Sequence, residues 1–383
     1  MRILLVSHSC GLFGAERSLL QLAERLQTDE SHQILMLIPR EGRLSARCRE
    51  LGIDVLVRRY SQWISVKRRL RGVLRHCGGH IVGLCGLLGP VRRFAPDIIY
   101  TNTGVVPIGA VLARILRVPH VWHMREFVRE NRDMCYDLGE RVSRYVMKRL
   151  ATRVICNSRA LGSTFAEFLG RDDVIVIYNG FDFEAPATTD NAARWRTPTD
   201  DAAAELLCVT SLIPEKGLED AIAALAGLAR RGLPARLTIA GDGDPRLAVR
   251  LLEAAQQLGV ADRVRFLGFV KDTVQLYREA AVTLICSRSE AFGRTAVESL
   301  AEGTPVVCTG VGGLGEIVEP ERTGLVYRPG DADGLADAVA RLLREPQLYR
   351  SIAANGQQTV RERFGAERYA RELIEVFDQV RAS

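Results

Sequence analysis

The sequence predicts an α/β protein of two doubly wound, Rossmann-like domains, and three observations lead there. Short β-branched runs alternate with helical patterns through the first half, an aperiodic stretch interrupts them, and the alternation then restarts. Near-continuous apolar strands alternating with helices mean a parallel sheet covered on both faces. At 383 residues the chain is long enough for each domain to bury its own core.

In the first domain, taken as residues 1–185, the expected strands are ILLVS (3–7), HQILMLI (32–38), DVLVR (54–58), DIIYTN (97–102), HVWH (120–123), RVICNS (153–158) and VIVIYN (174–179). Helical spacing fills the gaps, as in 15–26 and 137–150. The stretch 184–205, rich in Ala, Thr, Asp and Pro without a period, reads as a linker over 186–205. The second domain, 206–363, has expected strands at 206–211, 236–241, 263–268, 282–287, 305–309 and 324–328. The tail 364–383 carries an apolar stripe and is expected to pack back on the first domain. Two such domains facing one another would leave a cleft at the carboxyl ends of both sheets, where these folds place ligands.

Composition narrows the setting. No apolar run approaches the roughly 20 residues that span a bilayer, and the opening MRILLVSHSC is too short for a signal peptide. Nine scattered cysteines with no C-x-x-C pair argue for reduced thiols in the cytoplasm and against zinc. Residues 1–185 carry 28 Lys+Arg against 18 Asp+Glu, whereas 186–383 carry 24 against 28, so the first half meets acidic partners more readily. No nucleic-acid partner is expected, since zinc-finger spacing, an aromatic RNA-binding strand and a basic recognition helix are all missing. Residues 58–93 hold nine Lys+Arg and no acid. This basic stretch, with Trp63, Lys67, Arg68, Arg69 and Arg71, suits an anionic membrane surface, the plainer reading being a solvated helix face.

The motifs carry the chemistry. CGLFGAERS (10–18) puts Gly11 and Gly14 between the first strand and first helix, where backbone can approach a phosphate. The dinucleotide fingerprint G-x-G-x-x-G is not met, which disfavours nicotinamide. LIPEKGLEDAI (212–222) sets Lys216 just before a helix, a place cations avoid unless an anion sits there. AGDGDP (240–245) flanks Asp242 with Gly241 and Gly243, as in a tight turn or a backbone-lined phosphate or ribose site. In SEAFGRTAVESLAEGTPVV (289–307), Gly303 and Pro305 stop a helix that must begin near Arg294. Glu290 then lies in the loop before that helix and Glu298 about one turn in. The amides of Gly293, Arg294 and Thr295 are left to bind an anion, and carboxylates accept hydrogen bonds from vicinal hydroxyls. A phosphate with sugars on either side, a nucleotide-sugar, satisfies all of these features.

In order along the chain, the motifs FGAERS, VWHMREF, CNS, YNGFD, EKG, AGDGD, RVRFLGFV, E-AFGRTAV-E, AEGTPVV, GVGGLGEIV and TGLVYRPGD resemble the retaining glycosyltransferases of family four, which have the GT-B fold. The resemblance covers nearly the whole chain. It implies that Lys216 binds the donor diphosphate, with Gly14, Gly241, Gly243, Phe292 and the amides of Gly293 to Thr295 lining the donor site. It further implies that Glu298 holds the ribose diol, Glu290 the hydroxyls of the transferred sugar, and Phe269 and Val270 the base. His123 would sit by the reacting carbon, and Asn102 and Arg125 would face the acceptor. One departure stands out: the family's G-R-L is Thr210-Ser211-Leu212 here, so Ser211 replaces a phosphate-binding arginine and Arg294 is the nearest substitute. Neither metal nor cofactor is expected; lysine and helix dipole would stabilise the leaving nucleoside diphosphate. The departing phosphate would help deprotonate the acceptor on the same face, giving retention. The expected protein is a cytoplasmic retaining hexosyltransferase, peripheral on the membrane, that acts on a lipid-linked glycan in bacterial surface polysaccharide assembly. A transferase for a soluble acceptor and a non-catalytic nucleotide-sugar-binding protein are the alternatives.

Overall fold

The computed structural model describes residues 1–29, 31–65, 84, 86–128, 135–183 and 203–382. The chain divides into two compact units, Met1–Asp182 with Phe364–Ser383, and Phe183–Arg363. In the first lie β1 (Arg2–Val6), β2 (Gln33–Ile38), β3 (Asp54–Val57), β4 (Ile64–Ser65), β5 (Ile98–Thr101), β6 (His120–Met124), β7 (Cys135–Tyr136), β8 (Arg153–Cys156) and β9 (Ile175–Val176). A 7-stranded sheet in the order β3-β2-β1-β5-β6-β8-β9 is parallel throughout. An interior strand explains the arrangement: Ile3, Leu4, Leu5 and Val6 of β1 all have no exposure, so both its faces are covered. The order reverses between β1 and β5, which makes their carboxyl ends a topological switch point.

The final helix, Ala366–Ala382, belongs to this first unit. Tyr369, Leu373 and Phe377 recur every fourth residue, a spacing that lines up on one helical face, and all three are fully buried. They share a core with Leu19 and Leu22 of the helix Gly14–Gln27 and with Ile3 and Leu5 of β1.

The second unit holds β10 (Ala204–Val209), β11 (Ala235–Ala240), β12 (Val264–Gly268), β13 (Val282–Ile285), β14 (Val306–Cys308) and β15 (Leu325–Val326). These form a 6-stranded parallel sheet in the order β12-β11-β10-β13-β14-β15, with its own switch point between β10 and β13. Its core joins Leu206, Leu237 and Leu284 from the strands to Leu225, Val339 and Leu342 from the helices.

Some expectations need correction. The strand expected over 174–179 is paired only at Ile175–Val176. Beyond it the carbonyls of Tyr178 and Asn179 accept from Arg368 Nη2, so the final helix takes the place of a strand neighbour. β10 begins at Ala204, inside the expected linker, most of which (186–202) lies outside the described residues. Lys67, Arg68, Arg69 and Arg71 also lie outside them. The short antiparallel pair β4–β7 had no sequence signal. Among the described residues no helix is long and apolar enough to cross a membrane.

Candidate functional site

At the second unit's switch point, chain leaving β10 and chain leaving β13 bring opposite charges together. Lys216 Nζ donates to Glu290 Oε2 at 2.6 Å, and Ser287 Oγ is 3.4 Å from the same oxygen. Gly217, just after Lys216, has φ +58, and a Cβ there would lie 2.3 Å from the Cys286 carbonyl oxygen. That close approach holds the Lys216 loop against the end of β13. Val209, Thr210, Lys216, Ser287, Glu290 and Thr295 line one small pocket here.

The helix Arg294–Ala301 points its start at this pocket, as its stop signals predict. Gly293, its cap, has φ +107, and a Cβ would lie 2.7 Å from Leu314 Cδ2, so only glycine fits. Thr295 Oγ1 donates to Val209 O at 3.0 Å and pins the helix to β10. Ala296 N and Val297 N turn back to Gly293 O, at 3.0 and 3.4 Å, and close the first turn on its cap. Glu298, one turn in, accepts from Tyr277 Oη at 3.1 Å and pairs with Arg294 Nη2 at 3.3 Å. Burial, then the Glu298 carboxylate, hold the Tyr277 phenol well above its ordinary range, so it stays a donor. Arg294 therefore turns along its own helix onto Glu298, while Ser211 is exposed at the end of β10.

Gly241 and Gly243 answer to backbone packing. Added Cβ atoms would lie 1.9 Å from Thr210 O and 2.3 Å from Leu212 O. This approach lets Leu212 N reach Asp242 O and Asp244 N reach Leu212 O, both at 2.9 Å. Gly241 N also donates to Gly268 O at 2.8 Å, which sets the exposed Phe269 and the partly exposed Val270 beside this turn. Two D-x-D triplets, Asp242–Gly243–Asp244 and Asp331–Ala332–Asp333, lie in this unit. Asp244 caps the helix Pro245–Gln257 by accepting from Arg246 N at 2.9 Å.

In the first unit, His123 ends up fully buried near the carboxyl end of β6. Its Nδ1 lies 2.7 Å from Tyr100 Oη, whereas its Nε2 has no hydrogen-bond partner among the described residues. Burial, then the charge of Arg125, push the imidazole well below its usual range, so the ring is neutral. Arg125 is buried and donates to four neutral oxygens, Asn102 Oδ1 at 2.6 Å, Asn179 Oδ1, Tyr369 Oη at 2.7 Å and Tyr100 Oη at 3.3 Å, with His123 Nδ1 3.5 Å from its Nη2. Asn102 Nδ2 donates to Ala15 O at 2.9 Å. The expectation that Asn102 and Arg125 face an acceptor is corrected: their polar atoms are taken up inside the unit. Trp63 is corrected likewise. It is 3% exposed, stacks on Trp122 at 5.7 Å and donates from Nε1 to Gly104 O, so it is a core residue. Gly14 opens its helix as expected, and Glu16 Oε2 accepts from Phe13 N at 3.2 Å to close the turn.

Several site residues had no sequence signal. Tyr100 reads as an ordinary strand residue, Tyr277 as a helix residue and Tyr369 as part of an apolar stripe. Glu126 follows Arg125, and although part of the residue reaches solvent, its Oε2 is shielded and has no partner among the described residues.

Two family models match this chain: Glycosyl transferases group 1 over residues 190–359, and Glycosyl transferase 4-like domain over residues 13–180. An uncharacterised glycosyltransferase of Methanocaldococcus jannaschii is 34% identical over 310 residues, covering 76% of this chain and 77% of the relative. Glycogen synthase of Mycobacterium tuberculosis is 32% identical over 317 residues, covering 78% and 73%. Among solved structures, Anabaena HepE in complex with UDP-glucose superposes with a TM-score of 0.81 at 26% identity, covering 99% of this chain and 100% of that one.

Proposed function

The chain belongs to the group 1 glycosyltransferases and has the GT-B fold of two Rossmann-like domains, and from that premise we propose that it moves a hexose-type sugar from a nucleoside-diphosphate sugar to an acceptor with retention of configuration. The observation that carries this reading is the meeting of Lys216 and Glu290 at the start of the helix bearing Glu298. A diphosphate drawn to Lys216 and the helix-start amides would free Glu290 for hydroxyls of the transferred sugar. Glu298 would then hold the ribose. The relatives' chemistry supports a nucleotide-sugar donor, since HepE is solved with UDP-glucose.

In this reading the leaving diphosphate is stabilised without a metal, by the lysine and the oriented helix dipole. As that phosphate departs, its oxygen takes the proton of the incoming hydroxyl on the same face. The acceptor is a lipid-linked glycan of surface polysaccharide assembly, approached at an anionic membrane surface by the basic segment 58–93. The excess of Lys+Arg in residues 1–185 favours it.

A panel of nucleoside-diphosphate sugars tests the donor reading, scored by binding and by slow hydrolysis with and without EDTA. Saturable binding with EDTA-resistant hydrolysis is expected. Binding without hydrolysis or transfer would favour a non-catalytic sensor, and no binding at all would overturn the donor reading. Co-sedimentation with anionic vesicles at low salt tests the acceptor side; its absence would favour a soluble acceptor.

A further inference from the structure

His123 ends a chain of hydrogen bonds whose directions are forced by one residue. Arg125 Nη2 can only donate. It lies 3.3 Å from Tyr100 Oη, 2.7 Å from Tyr369 Oη and 3.5 Å from His123 Nδ1. Tyr100 Oη therefore faces a donor and keeps its own proton to give. Two acceptors compete for that proton, His123 Nδ1 at 2.7 Å and Asn102 Oδ1 at 3.5 Å. The shorter contact is well inside hydrogen-bond range and the longer one is at its limit. A proton on Nδ1 would instead face the guanidinium N–H at 3.5 Å, donor against donor, and would give up the Tyr100 proton at 2.7 Å.

Nδ1 is thus the bare nitrogen of the ring, and Nε2 carries the hydrogen. Nε2 is buried and has no partner among the described residues, so this N–H is a donor left without an acceptor there. A buried, oriented donor of that kind is matched by an oxygen brought in by a ligand. A neutral N–H with its lone pair turned inward offers a hydrogen bond and cannot take a proton through Nε2.

We propose that Tyr100 and Arg125 are positioning residues that lock His123 as its neutral Nε2–H tautomer, making the imidazole a fixed hydrogen-bond donor to a ligand oxygen rather than a base. Tyr369 extends the lock to the final helix, because its hydroxyl oxygen accepts from the same guanidinium. Asn102 and Asn179 complete the cradle of Arg125 from the ends of β5 and the segment after β9. The catalytic consequence rests on the glycosyl transfer proposed above; the tautomer does not.

Two-bond proton–nitrogen NMR on protein labelled at its six histidines reads the tautomer directly, with no donor or acceptor present. His123→Gln identifies the resonance by its loss. The wild type is expected to show His123 as a neutral ring with hydrogen on Nε2. A proton on Nδ1, or an imidazolium, overturns the proposal. Tyr100→Phe keeps the ring and removes only the hydroxyl. In the folded variant the His123 signal is expected to become a mixture of tautomers, with kcat lowered roughly three- to tenfold and nucleotide affinity unchanged. A pure Nε2–H signal with wild-type kcat in that variant would deny Tyr100 its role and sink the idea. If the spectra are as expected but no nucleotide-sugar is ever turned over, the function reading fails and the tautomer stands.

Discussion

Lys216 and Glu290, 74 residues apart, form a 2.6 Å ion pair at the start of the helix that carries Glu298. Both side chains are about one-fifth exposed, at 22% and 20%, so the pair is open to a competing anion. Each partner holds the other where a ligand's phosphate and hydroxyls would take over both contacts.

Lys216→Ala is expected to lower donor affinity or kcat/KM by roughly ten- to a hundredfold, the worth of one charge-assisted contact. Circular dichroism should be unchanged, because Lys216 is not part of the core. Wild-type donor kinetics in the folded variant would remove it from the site.

Glu290→Gln and Glu298→Gln should separate in calorimetry with free nucleoside diphosphate. The first is expected to bind the nucleotide nearly as the wild type does while sugar transfer collapses. The second should lose nucleotide affinity, since the proposed reading gives Glu298, held by Tyr277 and Arg294, the contact with the ribose. Identical nucleotide binding by both variants would refute this division.

Gly241→Ala should destabilise the second unit by more than about 1–3 kcal/mol, because its φ is +145 and the new Cβ would strike Thr210 O. Gly259→Ala is the control: its φ is +70 with nothing within 4 Å, so the cost is the left-handed penalty of about 1–2 kcal/mol. Equal unfolding midpoints for the two variants would contradict the packing argument.

Glu126 gives a pH signature. Burial, opposed in part by Arg125, pushes its carboxyl from 4.5 up to about 7. Below pH 4.5 the group is protonated whether the chain is folded or not. Between 4.5 and about 7 only the unfolded chain releases the proton, so this residue's contribution to stability falls as pH rises, and the loss is complete above about 7. Glu126→Gln should therefore gain stability relative to wild type across that window in denaturant titrations. A constant difference between the two proteins at every pH would show that the carboxyl is not perturbed.

Phe377→Ala is expected to cost about 3–5 kcal/mol, as the ring is fully buried against Tyr100 in the first unit's core. The final helix should then detach first in hydrogen exchange. Retained protection over Ala366–Ala382 would mean that other contacts anchor it.

The sequence by itself determined the two parallel sheets, since β-branched runs and helical spacing are local patterns that each segment carries alone. It also determined the helix beginning at Arg294, with Glu290 before it and Glu298 on it, because Gly303 and Pro305 fix where that helix stops. Tertiary structure alone decided which atoms meet. Lys216 reaches Glu290 only because β10 and β13 are neighbours, and Arg125 gathers Tyr100, Asn102, Asn179 and Tyr369 from segments up to 244 residues away. Trp63 reads the same in sequence whether it anchors at a membrane or stacks on Trp122. Such choices depend on packing and on the direction of each hydrogen bond, and neither has a period along the chain.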